Sequence, residues 1–148
     1  MILAALIFAL ALPAQQPAAD NLKAITAEPN LVKRAKLALA NGERASRDAG
    51  DACKAGEYDK CNARLSEVQD SVELAEKSLD QTGIDPARSP RHFKDAELQT
   101  HKILREVDPL RAYIPAEGMD HFQSVYRRIS SIDDRLVSAI LSKKKKKK

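Results

Sequence analysis

The sequence predicts an all-α fold, with antiparallel helical hairpins assembled as a small up-down four-helix bundle. Three observations carry that prediction. Between Leu31 and Leu79, small and apolar residues recur at alternating steps of four and three on two stretches that meet at Gly56, a spacing that keeps one seam on one side of a helix. Two later stretches repeat the pattern, one with Phe93, Ala96, Ile103, Leu104 and Val107, the other with Phe122, Val125, Ile129, Ile132, Leu136 and Ile140. Pro29, Pro86, Pro90, Pro109 and Pro115 fall between these stretches and not inside them, as helix boundaries require.

Taken in order, residues Ile2–Leu12 are continuously apolar and are followed by Pro13, Ala14, Gln15 and Gln16. Such a run, too short to span a membrane comfortably, has the form of the apolar and cleavage regions of a secretory signal peptide over residues 1–19. Export to the periplasm or the exterior is therefore expected. Cleavage after Ala14 fits, with Ala11, Ala18 and Ala19 as further sites. An uncleaved membrane anchor is the alternative reading, and a buried N-terminal helix the third.

Residues 20–142 are expected to form one helical domain. Asp20–Glu28 reads as a single helical turn or a loose lead-in, and Pro29 opens the first long helix, residues 30–55. In that helix Leu31, Ala35, Ala38, Gly42, Ala45, Ala49 and Ala52 form the seam. Gly56 supplies the left-handed backbone that ends it. The second helix, residues 57–81, carries Cys61, Leu65, Val68, Val72, Ala75 and Leu79 and stops before Gly83. Folding about Gly56 sets Ala49 near Leu65, Ala45 near Val68, Gly42 near Val72 and Ala35 near Leu79. The same register sets Arg47 against Glu67, Arg44 against Asp70 and Arg34 against Asp80. Lys33, Arg34 and Lys36 lie at the unfavourable, positive end of the first helix dipole, and acidic residues near Glu76 and Asp80 are expected to offset them. Ser89 reads as the N-cap of a third helix, residues 90–107, with Pro90 at its first position. Leu110, Tyr113 and Ile114 are expected to close the end of the core, and Pro115 to open a fourth helix, residues 116–142. Val32, Leu39 and Leu74 offer apolar sides for the second hairpin to cover.

The segment Ala55-Gly56-Glu57-Tyr58-Asp59-Lys60-Cys61 resembles the inter-helix turn of a tetratricopeptide repeat, in which Gly is followed by an aromatic and then by a small residue. Leu65 and Val68 fall at its next packing positions, so the resemblance spans residues 55–68. Ala45 and Ala52 stand where that repeat has large residues, Glu73 where it has Pro, and no second copy follows at its usual interval. The resemblance implies a helical-hairpin interaction scaffold and names no partner. The overall form is also similar to small exported helical proteins of bacteria without an assigned activity.

Charge narrows the function classes. The chain of 148 residues has a net charge of +4, but Lys143, Lys144, Lys145, Lys146, Lys147 and Lys148 supply six of its 25 basic side chains, leaving 19 against 21 acidic ones. A nearly balanced body with a basic end gives no support to sequence-specific nucleic-acid binding, which normally needs a basic face. The lysine run should repel itself into disorder over residues 143–148. It reads as a solvated terminus, or as an attachment point for anionic lipid headgroups, nucleic acid or acidic glycans.

Chemistry-bearing residues are few. Cys53 and Cys61 flank Gly56 and face each other in the hairpin register. In an exported chain they should close into a structural disulfide, with two buried free thiols as the alternative; their spacing is unlike a redox CxxC pair. Among His92, His101 and His121, the candidate for a metal is His101 with Glu97 four residues before it, and such pairs commonly serve as surface ion pairs. Asp133–Asp134 beside Arg135 reads as a solvated face. Nothing indicates a cofactor, a nucleophile–base arrangement or a phosphate-binding loop. The expected function is that of an exported, non-enzymatic helical protein presenting helix faces to a protein partner. The alternatives are an electrostatic binder using the lysines with Arg127, Arg128 and Arg135, and a helical enzyme of unrecognised type.

Overall fold

The computed structural model describes residues 18–142. The lysine run and the apolar N-terminal run, with the readings attached to them, lie outside this range. Five α-helices follow one another: α1 (Ala18–Thr26), α2 (Leu31–Lys54), α3 (Tyr58–Gln81), α4 (Arg91–Val107) and α5 (Met119–Leu141), with 3-10 turns at Asp108–Tyr113 and Ala116–Gly118. The fold is an all-α helical bundle, and no strand occurs among the described residues.

Apart from Leu31, which is only half-buried at the start of α2, both hairpin seams are buried as the spacing predicts. Ala38, Ala45, Ala49, Cys61, Leu65 and Val68 are fully inaccessible to solvent, and Ala35, Ala52, Val72, Ala75 and Leu79 nearly so. A Cβ built on Gly42 would lie 3.9 Å from Val72 Cγ2, which fixes the predicted register. It would also lie 3.3 Å from Ser71 Cβ and 3.1 Å from Ile103 Cδ1, so Gly42 is where α2, α3 and α4 converge. The turn is closed by two backbone bonds, Glu57 N–H to the Ala52 carbonyl (2.9 Å) and Gly56 N–H to the Cys53 carbonyl (3.1 Å), with Gly56 at φ 76°. This is the Schellman arrangement, in which a left-handed residue satisfies the last carbonyls of a helix.

The second hairpin lies on the first with like-directed helices side by side. Lys102 Nζ on α4 reaches Glu43 on α2 at 3.0 Å, and Ser46 donates to Glu106 four residues further along. Ser66 meets His121, Arg128 meets Glu73 and Arg135 meets Glu76, so α5 runs parallel to α3. Helix directions alternate along the chain, as in an up-down bundle, while the ring order is α2, α3, α5, α4 and the Thr82–Pro90 link passes across it. Leu39 is buried beneath α4, whereas Val32 and Leu74 remain half-exposed.

The local expectations need several corrections. The lead-in is a nine-residue helix, α1, and its Ile25 packs on the core. Asn30 caps α2 by accepting the Lys33 N–H at 2.9 Å. The cations at that end are offset locally: Glu28 pairs with Lys33 at 2.8 Å and its carbonyl accepts from Arg34 Nε, so Glu76 and Asp80 are not needed there. Lys33 and the Asn30 N–H hold the Glu28 carboxyl below its ordinary range. Ser89 makes no cap bond; Pro90 occupies the cap position and its carbonyl accepts the first helical bond, from Lys94. Leu110 and Ile114 close the core end, but Tyr113 is exposed because the 3-10 turn rotates it outward. The last helix begins at Met119, since Ala116–Gly118 forms a tighter turn.

Substituting Gly42→Leu places a bulky side chain where even a Cβ would be crowded by Ile103 and Ser71. Overpacking of this kind costs about 1–3 kcal/mol, and urea unfolding of the variant should show a loss of that size.

Candidate functional site

Three constellations stand out from the apolar core. The first is the clasp: Cys53 and Cys61 are disulfide-bonded, with Cα atoms 5.1 Å apart. Both are buried, at the last turn of α2 and the first of α3, because both occupy seam positions on either side of Gly56.

The second is a polar cluster on the rim of the α2–α3 seam. Glu67 is 4% exposed and accepts from Asn41 Nδ2 at 3.0 Å and Arg64 at 2.7 Å, and it pairs with Arg44. Asn41 also donates to Ser71 Oγ at 2.9 Å. A buried carboxylate needs such donors, since desolvation without partners is costly. The expected rim pairs are therefore displaced: Arg44 serves Glu67 and Asp48, not Asp70, while Arg47 lies near Glu43 and not Glu67. Asp70 has no cation partner among the described residues, and desolvation, then Glu73 and Glu67, hold its carboxyl above the ordinary range. Asp80 is likewise pushed up by desolvation and Glu76, with Arg34 engaged elsewhere.

The third is the outer edge formed by α4 and α5. Leu98 and Leu141 are 65% and 72% exposed, and with Val137, Ile140, Lys94 and Glu97 they line an open, mainly apolar groove of about 320 Å³. One turn further along α4, His101 Nδ1 lies 3.3 Å from Asp133 Oδ2 on α5. Asp133 is buried, and only Asp134 of the acidic pair faces solvent, which corrects the reading of both as a solvated face. The missed signal is positional: Asp133 falls four residues after Ile129 and three before Leu136, inside the apolar stripe.

The remaining candidates are dispersed. Arg128 and Arg135 are engaged by Glu73 and Glu76, at 2.6 Å each, and Arg127 donates to Gln123 on its own helix. Two of these three arginines are thus held by carboxylates of α3, while Arg127 has no carboxylate partner among the described residues. Ser66 Oγ lies 3.1 Å from His121 Nε2, but that nitrogen also faces the Asn62 carbonyl at 3.4 Å. No helix among the described residues is long and apolar enough to cross a membrane. No family model, curated protein or solved structure matches the chain.

The clasp closes a short loop, and constraint of the unfolded chain by such a loop contributes about 2–3 kcal/mol. Reduction should lower the denaturant midpoint by a corresponding amount while far-UV circular dichroism retains most of the helical signal, because the seams remain.

Proposed function

We propose that the protein is an exported, non-enzymatic helical docking module that binds a protein partner along the α4–α5 edge. The carrying observation is the groove where Leu98 and Leu141 stand largely exposed beside Val137 and Ile140. Large apolar side chains clustered on one surface favour association, and Lys94 and Glu97 at its margin offer polar contacts for a rim. The disulfide and the apolar N-terminal run support an oxidising, exported setting, and the resemblance of residues 55–68 to a tetratricopeptide-repeat turn supports an interaction scaffold. The partner's matching surface would be an amphipathic helix face laid against these residues.

A second reading is favoured by one observation: Lys143–Lys148 follow Leu141 within two residues. An apolar edge joined to a cationic run suits an anionic surface such as acidic lipid headgroups, where the two attractions reinforce each other. Affinity capture from the native compartment, comparing the parent, Leu98→Glu/Leu141→Glu and a variant lacking Lys143–Lys148, separates the readings. A protein captured by the parent and the tail deletion, but lost from the double variant, is the expected result. Capture unaffected by the double variant would overturn the edge as the docking site. Binding to anionic vesicles that requires the lysines and falls with added salt would favour the second reading.

A further inference from the structure

Asp133 presents a problem that the bundle does not solve internally. Its residue surface is 8% exposed, its Oδ2 has a single contact, the His101 imidazole at 3.3 Å, and its buried Oδ1 has no hydrogen-bond partner. A buried carboxylate oxygen left without a partner is costly, and the bundle supplies no further donor or cation for it. His101 is exposed enough to reach solvent, so the pair is open on one side.

Glu97 completes the geometry. It lies four residues before His101 on the same face of α4, and donor atoms of Glu97, His101 and Asp133 all fall within 4.8 Å of one another. Glu97 carries no ion pair among the described residues. Two helices that pack antiparallel thus bring one imidazole and two carboxylates to a common point, with the buried Asp133 as the fixed member and Glu97 and His101 as movable arms.

We propose that Glu97, His101 and Asp133 form a binding site for a divalent transition-metal cation of the zinc type. Two carboxylates and a neutral imidazole balance a charge of +2, and the imidazole selects a borderline cation over magnesium or calcium, which prefer all-oxygen sites. Zinc bonds of roughly 2.0–2.1 Å in tetrahedral geometry place ligand atoms about 3.3 Å apart, the separation already found between His101 Nδ1 and Asp133 Oδ2. Only Glu97 must swing inward. The cation takes the place of the His101–Asp133 hydrogen bond and ties α4 to α5. Three protein ligands leave a coordination position for water or for a group from a partner. With Cys53 and Cys61 bonded to each other, no thiolate competes for the ion.

Zinc chloride titrated into the oxidised full chain, carrying no histidine tag and in competition with a chromophoric chelator, tests the site. One equivalent should bind at micromolar concentrations, with imidazole NMR signals shifting for His101 and not for His92 or His121. His101→Gln and Asp133→Asn should each weaken binding at least roughly tenfold, by analogy with losses seen when metal-site residues are removed, and Glu97→Gln should weaken it less. His92→Gln and His121→Gln should bind as the parent does. His101→Gln is an exposed change that keeps a side-chain donor toward Asp133, and once far-UV circular dichroism shows it folded as the parent is, it decides the matter even if Asp133→Asn disturbs the bundle. Absence of zinc uptake by the parent, or equal uptake by parent and His101→Gln, overturns the proposal.

Discussion

The close approach of α2 and α3 is the constraint on which the rest of the bundle depends. Ala38, Ala45 and Ala49 present little more than backbone and methyl groups to Leu65 and Val68, and Gly42 presents none at all. Small residues on one helix opposite larger ones on the other allow tight interdigitation, where dispersion is gained over many short contacts. That closeness also admits Ile103 from α4 against Gly42, so the second hairpin is seated by a gap that the first one leaves.

Polar contacts then hold what the seam brings together. Cys53–Cys61 fixes one end of the hairpin and the Asn41–Arg44–Glu67 cluster marks its rim. The second hairpin is joined along two parallel borders, by Lys102–Glu43 to α2 and by Arg128–Glu73 and Arg135–Glu76 to α3. Exposed pairs of this kind contribute little stability individually; their effect is to orient α4 and α5. That orientation leaves the opposite edge bare, where the apolar groove and the Glu97–His101–Asp133 group lie next to each other and share Glu97.

The helices were legible because their signal is periodic: burial of Leu65, Val68, Val72, Ile129, Ile132 and Leu136 follows directly from steps of four and three. The clasp was legible because Cys53 and Cys61 both fall at seam positions on either side of Gly56. The rim pairs were not, since register places Cα atoms opposite one another while an arginine reaches a full turn away, and Arg44 goes where the buried Glu67 needs a donor. The ring order was hidden for a different reason. Short connections fix alternating directions, but which helix sits beside which depends on how side chains such as Ile103 fill the surface of the first hairpin. Asp133 was misread because its neighbours Asp134 and Arg135 are solvent-facing; its own place within the apolar stripe was the better guide. Glu97 and His101 could be paired by spacing alone, but their third partner comes from another helix, thirty-two residues beyond His101.

If the α2–α3 seam is the framework on which the other helices are seated, it should be the last part of the bundle to open. Local stability differs across a fold, and native-state hydrogen exchange resolves it helix by helix. Measured on the oxidised protein at low denaturant, amides of Ala38–Ala49 and of Val68–Ala75 should exchange only through global unfolding, while amides of α4 and α5 should exchange through a lower-energy opening that leaves α2 and α3 protected. Slower exchange in α5 than in α2 would contradict the account, as would a single common opening for all the helices.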